Sequence, residues 1–171
     1  MTLTTTPGAS TADSYASLAE ALAYHAARGN AAWAASTDPL REPALRRATA
    51  WLDGRYHARW PGYPINGRAQ ALDWPRRGAA DRDGYVIEVT TIAPEIVAAT
   101  CEAALRELAA PGSLSPDVTA GTAKVLTTVG KLGWTPLRNN ASASEMAPTL
   151  LAVEQALAGV IRGGGTALVR A

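Results

Sequence analysis

The chain has 171 residues, 47% of them hydrophobic and 18% charged, which suffices for one domain with a core and rules out two full domains or a disordered polymer. Sixteen basic and fifteen acidic residues leave a formal charge of +1, far from the strongly positive balance of a dedicated nucleic-acid binder. One cysteine and two histidines exclude an intrachain disulfide and make a poor ligand stock for structural zinc. Residues 1–10 are Thr-rich with neither a basic nor an apolar run, and no window approaches the roughly 18 apolar residues of a membrane span. A cytoplasmic location, or a particle assembled there, is therefore expected, with no membrane partner.

Residues 1–13 hold Thr, Ser, Gly and Pro with almost no large apolar group, so a flexible amino-terminal arm is expected. Structure should begin near Tyr15. Ser17 and Glu20 form a capping-box pair, Leu18, Leu22 and Ala26 follow at helical spacing, and Gly29 ends a first helix over about residues 17–28. Asn30 can cap a short turn carrying Trp33, after which Asp38-Pro39 is expected to break the chain. A second long helix over residues 42–60 places Pro43 at its first position and Leu45, Ala48, Leu52 and Tyr56 on one stripe.

Residues 61–93 lack a helical period and read as a long loop with a small hairpin, its most strand-like piece being residues 85–91. Pro94 opens a third helix to about Ala109, with Val97, Cys101, Ala104, Leu105 and Leu108 on an apolar face. A second hairpin is expected from residues 124–129 and 132–137 around Gly130. A last helix over residues 144–161 points Leu150, Val153, Leu157 and Val160 inward, and Gly163, Gly164 and Gly165 release a flexible tail over 163–171. The expected fold is mainly α: a small bundle of about four helices over residues 14–162, with a long loop and one or two short β-hairpins.

Few residues suggest catalysis, and no enzyme activity or cofactor is expected. His25 and His57 lie on different segments with no Glu or Cys at ligand spacing. Cys101 sits on an apolar face with no neighbouring cation to make a thiolate. The three glycines follow a helix rather than opening one, so they do not cradle phosphate. Asp81, Asp83 and Gly84 resemble part of a cation loop, but Ile92 occupies the closing position where a carboxylate is needed, so a turn is expected.

The uneven feature is the stretch from Arg41 to Arg82, in which nine arginines face four acids and Trp51, Trp60, Tyr63 and Trp74 are interleaved. Three readings stay open. Arginines among aromatics can stack on and neutralise a single strand, with Arg46, Arg47, Arg55 and Arg59 as the DNA-contacting candidates. The same residue types anchor protein interfaces, or the arginines are a solvated face and the tryptophans core. Pro75 stiffens the chain beside Trp74, Arg76 and Arg77, so these four are expected to anchor an extended loop against the helices or an adjacent subunit. Leu168, Val169 and Arg170 follow the glycine hinge as an apolar group with a cation, suited to docking on a neighbour.

Residues 15–21, 24–29 and Trp33, then Asp53-Gly54-Arg55-Tyr56, Gln70-Ala71-Leu72-Asp73-Trp74-Pro75-Arg76, Asp83-Gly84 and the helix opened by Pro94, together resemble tailed-phage head–tail adaptor (connector) proteins. Many of that family carry the description DnaT-like single-stranded-DNA-binding protein. The resemblance implies a helical structural protein of the virion neck, formed in the host cytoplasm, that assembles as a dodecameric ring below a portal and above a tail or stopper protein. It implies no active site, and packaged DNA in the channel becomes a further partner. The alternative expectation is single-stranded-DNA binding.

Overall fold

A computed structural model of the chain describes residues 2–116, 124–128, 133–136 and 149–162. Among them are five α-helices and two short antiparallel strand pairs, so the architecture is mainly helical as expected. Helix α1 spans Leu18–Ala27 and opens on the foreseen capping box: the Glu20 N–H donates to Ser17 Oγ at 3.2 Å and the Ser17 N–H to Glu20 Oε2 at 2.8 Å. Helix α2, Ala31–Ala35, follows Asn30, whose side chain bonds His25 Nδ1 at 2.9 Å instead of capping the helix. His25 is buried against Trp33, their ring centres 4.3 Å apart, and burial lowers its pKa.

Helix α3 runs Asp38–Tyr56, beginning at the step expected to break the chain. Pro39 is tolerated because a first-turn N–H has no partner within a helix. Its true first turn places Arg41 against α2, where the guanidinium donates to the Trp33 carbonyl at 2.8 and 3.2 Å and to the Ala34 carbonyl at 3.1 Å. The Trp33 carbonyl also accepts from the Ser36 N–H at 3.2 Å and the Ser36 hydroxyl at 2.7 Å, so Ser36 and a buried arginine together cap the carboxyl-terminal end of α2. Ala44, Leu45, Ala48, Leu52 and Tyr56 form the buried stripe.

Helix α4, Pro94–Ala109, is the central element, packed by α3, α1, α2 and the last helix, Leu151–Leu157. Ile96, Ala99, Thr100, Cys101, Ala103 and Ala104 are buried, whereas Val97, Leu105 and Leu108 stay half-exposed at the edge. Small residues at the centre let α3 approach closely. Helix α5, Leu151–Leu157, buries Val153 and Leu157 as expected, and Val160 closes the core beyond it. The part of the expected last helix over residues 144–148 lies outside the described residues.

Strands β1 (Tyr63–Pro64) and β2 (Arg76–Arg77) pair antiparallel, Tyr63 opposite Arg77. Residues 85–91, expected as the best strand, supply only an isolated bridge from Val86 to Ala80. Gly62 sits at φ +64°, where a Cβ would lie 2.2 Å from the Arg77 carbonyl oxygen. Only glycine permits this approach. Strands β3 (Lys124–Thr128) and β4 (Gly133–Pro136) form the second hairpin where the sequence placed it, Val125 opposite Thr135.

Residues 2–13 are not the expected free arm. The Asp13 N–H donates to the Thr4 carbonyl at 2.9 Å, the Thr4 N–H to Asp13 Oδ1 at 2.8 Å, and the Ala71 N–H to the Ala9 carbonyl at 3.1 Å. Asn66 Nδ2 donates to the Gly8 carbonyl at 2.9 Å. The segment is held through its backbone, which is why its lack of large apolar side chains did not leave it free.

Candidate nucleic-acid interface

The Leu72-Asp73-Trp74-Pro75-Arg76 stretch is a keystone inside the chain. Trp74 is 1% exposed, edge-on to Trp60 at 5.8 Å between ring centres, and Pro75 is buried behind it. Arg76, 5% exposed, donates to the carbonyls of Pro61 at 2.7 Å, Gly62 at 2.8 Å and Asp73 at 3.2 Å, and burial lowers its pKa. Beneath the loop, Asp53 accepts from the Tyr15 hydroxyl and from the Asp73 N–H. Burial raises its carboxyl to about 6. Trp74, Pro75 and Arg76 are therefore buried within this chain, where they anchor the loop against its own helices. Of the four expected anchors only Arg77 is exposed.

The expected DNA-contacting arginines, on α3 and on the 3₁₀ turn His57–Arg59 that follows it, are also engaged internally. Arg46 pairs with Asp13 at 2.6 Å and with Glu42, and Arg47 with Glu107 at 2.5 Å. Arg59 lies 3.3 Å from Glu154 and over the Tyr56 ring. Arg55 is half-buried near the end of α3. Arg46, Arg47 and Arg59 are thus each paired with a carboxylate from another element, Asp13, Glu107 and Glu154, which offsets their charge within the chain.

What remains for a ligand lies on the loop. Tyr63 is 75% exposed directly opposite exposed Arg77, whose Nη2 donates to the Ile65 carbonyl at 2.8 Å and so holds the guanidinium beside the ring's strand. Arg68 is exposed on the adjoining 3₁₀ turn Gly67–Ala69, which packs against β1. On the other flank of the 76–81 stretch, Tyr85 is 74% exposed. The Asp81 N–H donates to the Tyr85 carbonyl at 2.9 Å, while Asp81 Oδ1 accepts from the N–H groups of Asp83 and Tyr85 at 3.0 and 2.8 Å. Asp81 thus closes a turn, as expected, and exposed Arg82 stands in it. One backbone stretch carries an exposed tyrosine and arginine on each side.

Of these residues, Tyr63, Tyr85, Arg68 and Arg82 were not singled out as site residues by the sequence. The available signal was an aromatic directly following a turn glycine, Gly62-Tyr63 and Gly84-Tyr85. Leu168, Val169 and Arg170 lie outside the described residues. Among the described residues no cluster of three or more His, Cys, Asp or Glu could hold a metal ion, and no helix is long and apolar enough to cross a membrane. Cys101 is buried, and burial lifts its thiol to about 12, so no thiolate forms near neutrality.

A family model described as "Putative DnaT-like ssDNA binding protein" matches residues 1–171. No curated protein and no solved structure matches the chain. The family match corrects the expectation of a head–tail adaptor or connector of a virion neck: it coincides with the alternative, single-stranded-DNA binding, over the entire chain.

Proposed function

Since the chain belongs to the putative DnaT-like single-stranded-DNA-binding family along its whole length, we propose that it binds single-stranded DNA on the 61–86 loop. The observation that carries this reading is Tyr63, three-quarters exposed and paired across the β1–β2 ladder with Arg77. A bare aromatic ring gains most when another flat apolar face covers it, and an unpaired base supplies that face whatever its identity. Arg77, Arg68 and Arg82 supply the cations that follow the sugar-phosphate backbone. Tyr85 offers a second platform across the same stretch. Duplex DNA keeps its bases stacked and cannot cover either ring, so single strands are preferred.

Few cations on a nearly neutral chain support modest affinity, in the range of roughly 10⁻⁴ to 10⁻⁶ M at physiological salt. Fluorescence anisotropy with a labelled oligothymidylate and the matching duplex, repeated across salt concentrations, tests the reading. Single-strand binding stronger than duplex binding, weakening as salt rises, supports it. Equal binding of both forms, or none at low salt, refutes it.

A further inference from the structure

Beside the loop lies a cleft of about 490 Å³ between the 80–82 turn and the carboxyl-terminal end of α5, and three arginines line it: Arg59, Arg82 and Arg162. We infer that this cleft seats a phosphate group of the bound strand, held by Arg82 and Arg162 with Arg59 at its wall. The inference rests on the single-strand reading and assigns the phosphate site that goes with it.

Three arginines lining one cleft bring like charges together, and these repel each other unless carboxylates or an anion intervene. Two acids, Asp81 and Glu154, share the lining. Glu154 is spent on Arg59 at 3.3 Å and on the Tyr56 hydroxyl at 3.0 Å. The Asp81 Oδ1 oxygen is spent on two N–H groups of its own turn. Among the described residues the side chains of Arg82 and Arg162 have neither an ion pair nor a hydrogen bond, although both are exposed at the mouth. The field of Arg162 also reaches Arg76, whose pKa it lowers further.

The two free guanidiniums are nevertheless placed. The Arg82 N–H donates to the Gly159 carbonyl at 2.7 Å, and the Arg162 N–H to the Arg59 carbonyl at 2.8 Å. Backbone anchoring on both sides fixes where the side chains start and leaves their planar forks for a ligand. That fork matches the oxygens of a phosphate in pairs. The ligand's position follows from the turn, because Arg82 and Tyr85 belong to the same closed loop. A base stacked on Tyr85 brings its own phosphate to the cleft's mouth. The phosphate is either an internal diester or a terminal monoester of the strand.

The test uses the full chain, Arg82→Gln with Arg162→Gln, and Tyr63→Ala. Calorimetric titration with inorganic phosphate reads the cleft alone, and anisotropy reads oligothymidylate with a 5′-phosphate or a 5′-hydroxyl. The inference expects the double arginine variant to melt normally and lose phosphate binding. It expects the slope of log affinity against log salt for DNA to fall by about one, the share of the one phosphate contact removed. Tyr63→Ala should weaken DNA while leaving inorganic phosphate binding as it was. A preference for the 5′-phosphate that vanishes in the double variant assigns a terminal monoester; equal binding of both oligonucleotides with the slope loss assigns an internal diester. Unchanged phosphate binding and unchanged salt slope in the double variant overturn the cleft while single-strand binding stands. Phosphate binding lost in the double variant, with no DNA binding by the wild type, sinks the single-strand reading and leaves an anion site.

Discussion

The Tyr15 hydroxyl accepts the Trp74 backbone N–H at 3.1 Å, across 59 positions of sequence, and passes its own proton toward Asp53. One oxygen thereby ties the entry to α1, the end of α3 and the loop proposed to carry the interface. Burial and the Asp53 carboxylate raise the Tyr15 pKa well above its ordinary value, so the hydroxyl remains a donor throughout the working range.

Tyr15→Phe keeps the ring and removes that junction. It leaves a buried N–H and a buried carboxylate oxygen short of a partner, which costs about 2–3 kcal/mol. For a chain of this size that corresponds to a melting temperature lower by about 5–10 °C. Calorimetry reads the loss, and an unchanged melting temperature would show that the hydroxyl does not hold the loop.

The Asp53 carboxyl gives a pH dependence with a definite sign. Its pKa stands at about 6 in the folded chain against an ordinary 3.8, with burial the main cause. The folded state therefore binds the proton more tightly than the unfolded state. This contribution to stability is complete below about pH 4 and is lost as the pH rises through 6, on the order of 2–3 kcal/mol in all. The Asp53 carboxyl carbon, followed by NMR, should titrate near pH 6. A midpoint near 4 would contradict the buried assignment.

Arg47 was a candidate for DNA and is instead the partner of Glu107, a carboxylate 1% exposed on the apolar face of α4 that also accepts the Gly112 N–H at 2.6 Å. Arg47→Gln strands that carboxylate. Because Arg47 is about half exposed, the cost is below that of a fully buried pair, about 1–3 kcal/mol. Denaturant titration should show the loss while single-strand affinity stays within about twofold. A variant of normal stability with weakened DNA binding would return Arg47 to the interface.

Local signals were legible in the sequence and distant partnerships were not. The Ser17 and Glu20 box and the helix opened by Pro94 were placed within about a residue, because each is set by neighbours in the chain. Asp38-Pro39 misled because a proline ends a preceding helix and also starts a new one. The arginine excess between Arg41 and Arg82 was counted against acids in that window alone. In the fold its charge is met by Asp13, Glu107 and Glu154 from outside it. Trp74, Pro75 and Arg76 were read as anchors against the helices or an adjacent subunit; their burial within this chain depends on Tyr15, Asp53 and Trp60 and could not be read from the loop. The exposed Tyr63 and Tyr85 stand apart from that core for the same tertiary reason.

Single-strand recognition by those two rings is tested most directly by comparing wild type with Tyr63→Ala/Tyr85→Ala on one labelled oligothymidylate at fixed low salt. Both side chains are about three-quarters exposed, so folding should be unaffected. Each lost stacking platform is worth about 1–3 kcal/mol, and the double variant should bind at least about 30-fold more weakly, taking about 1 kcal/mol for each ring. Equal affinity of the two proteins for the strand would contradict it.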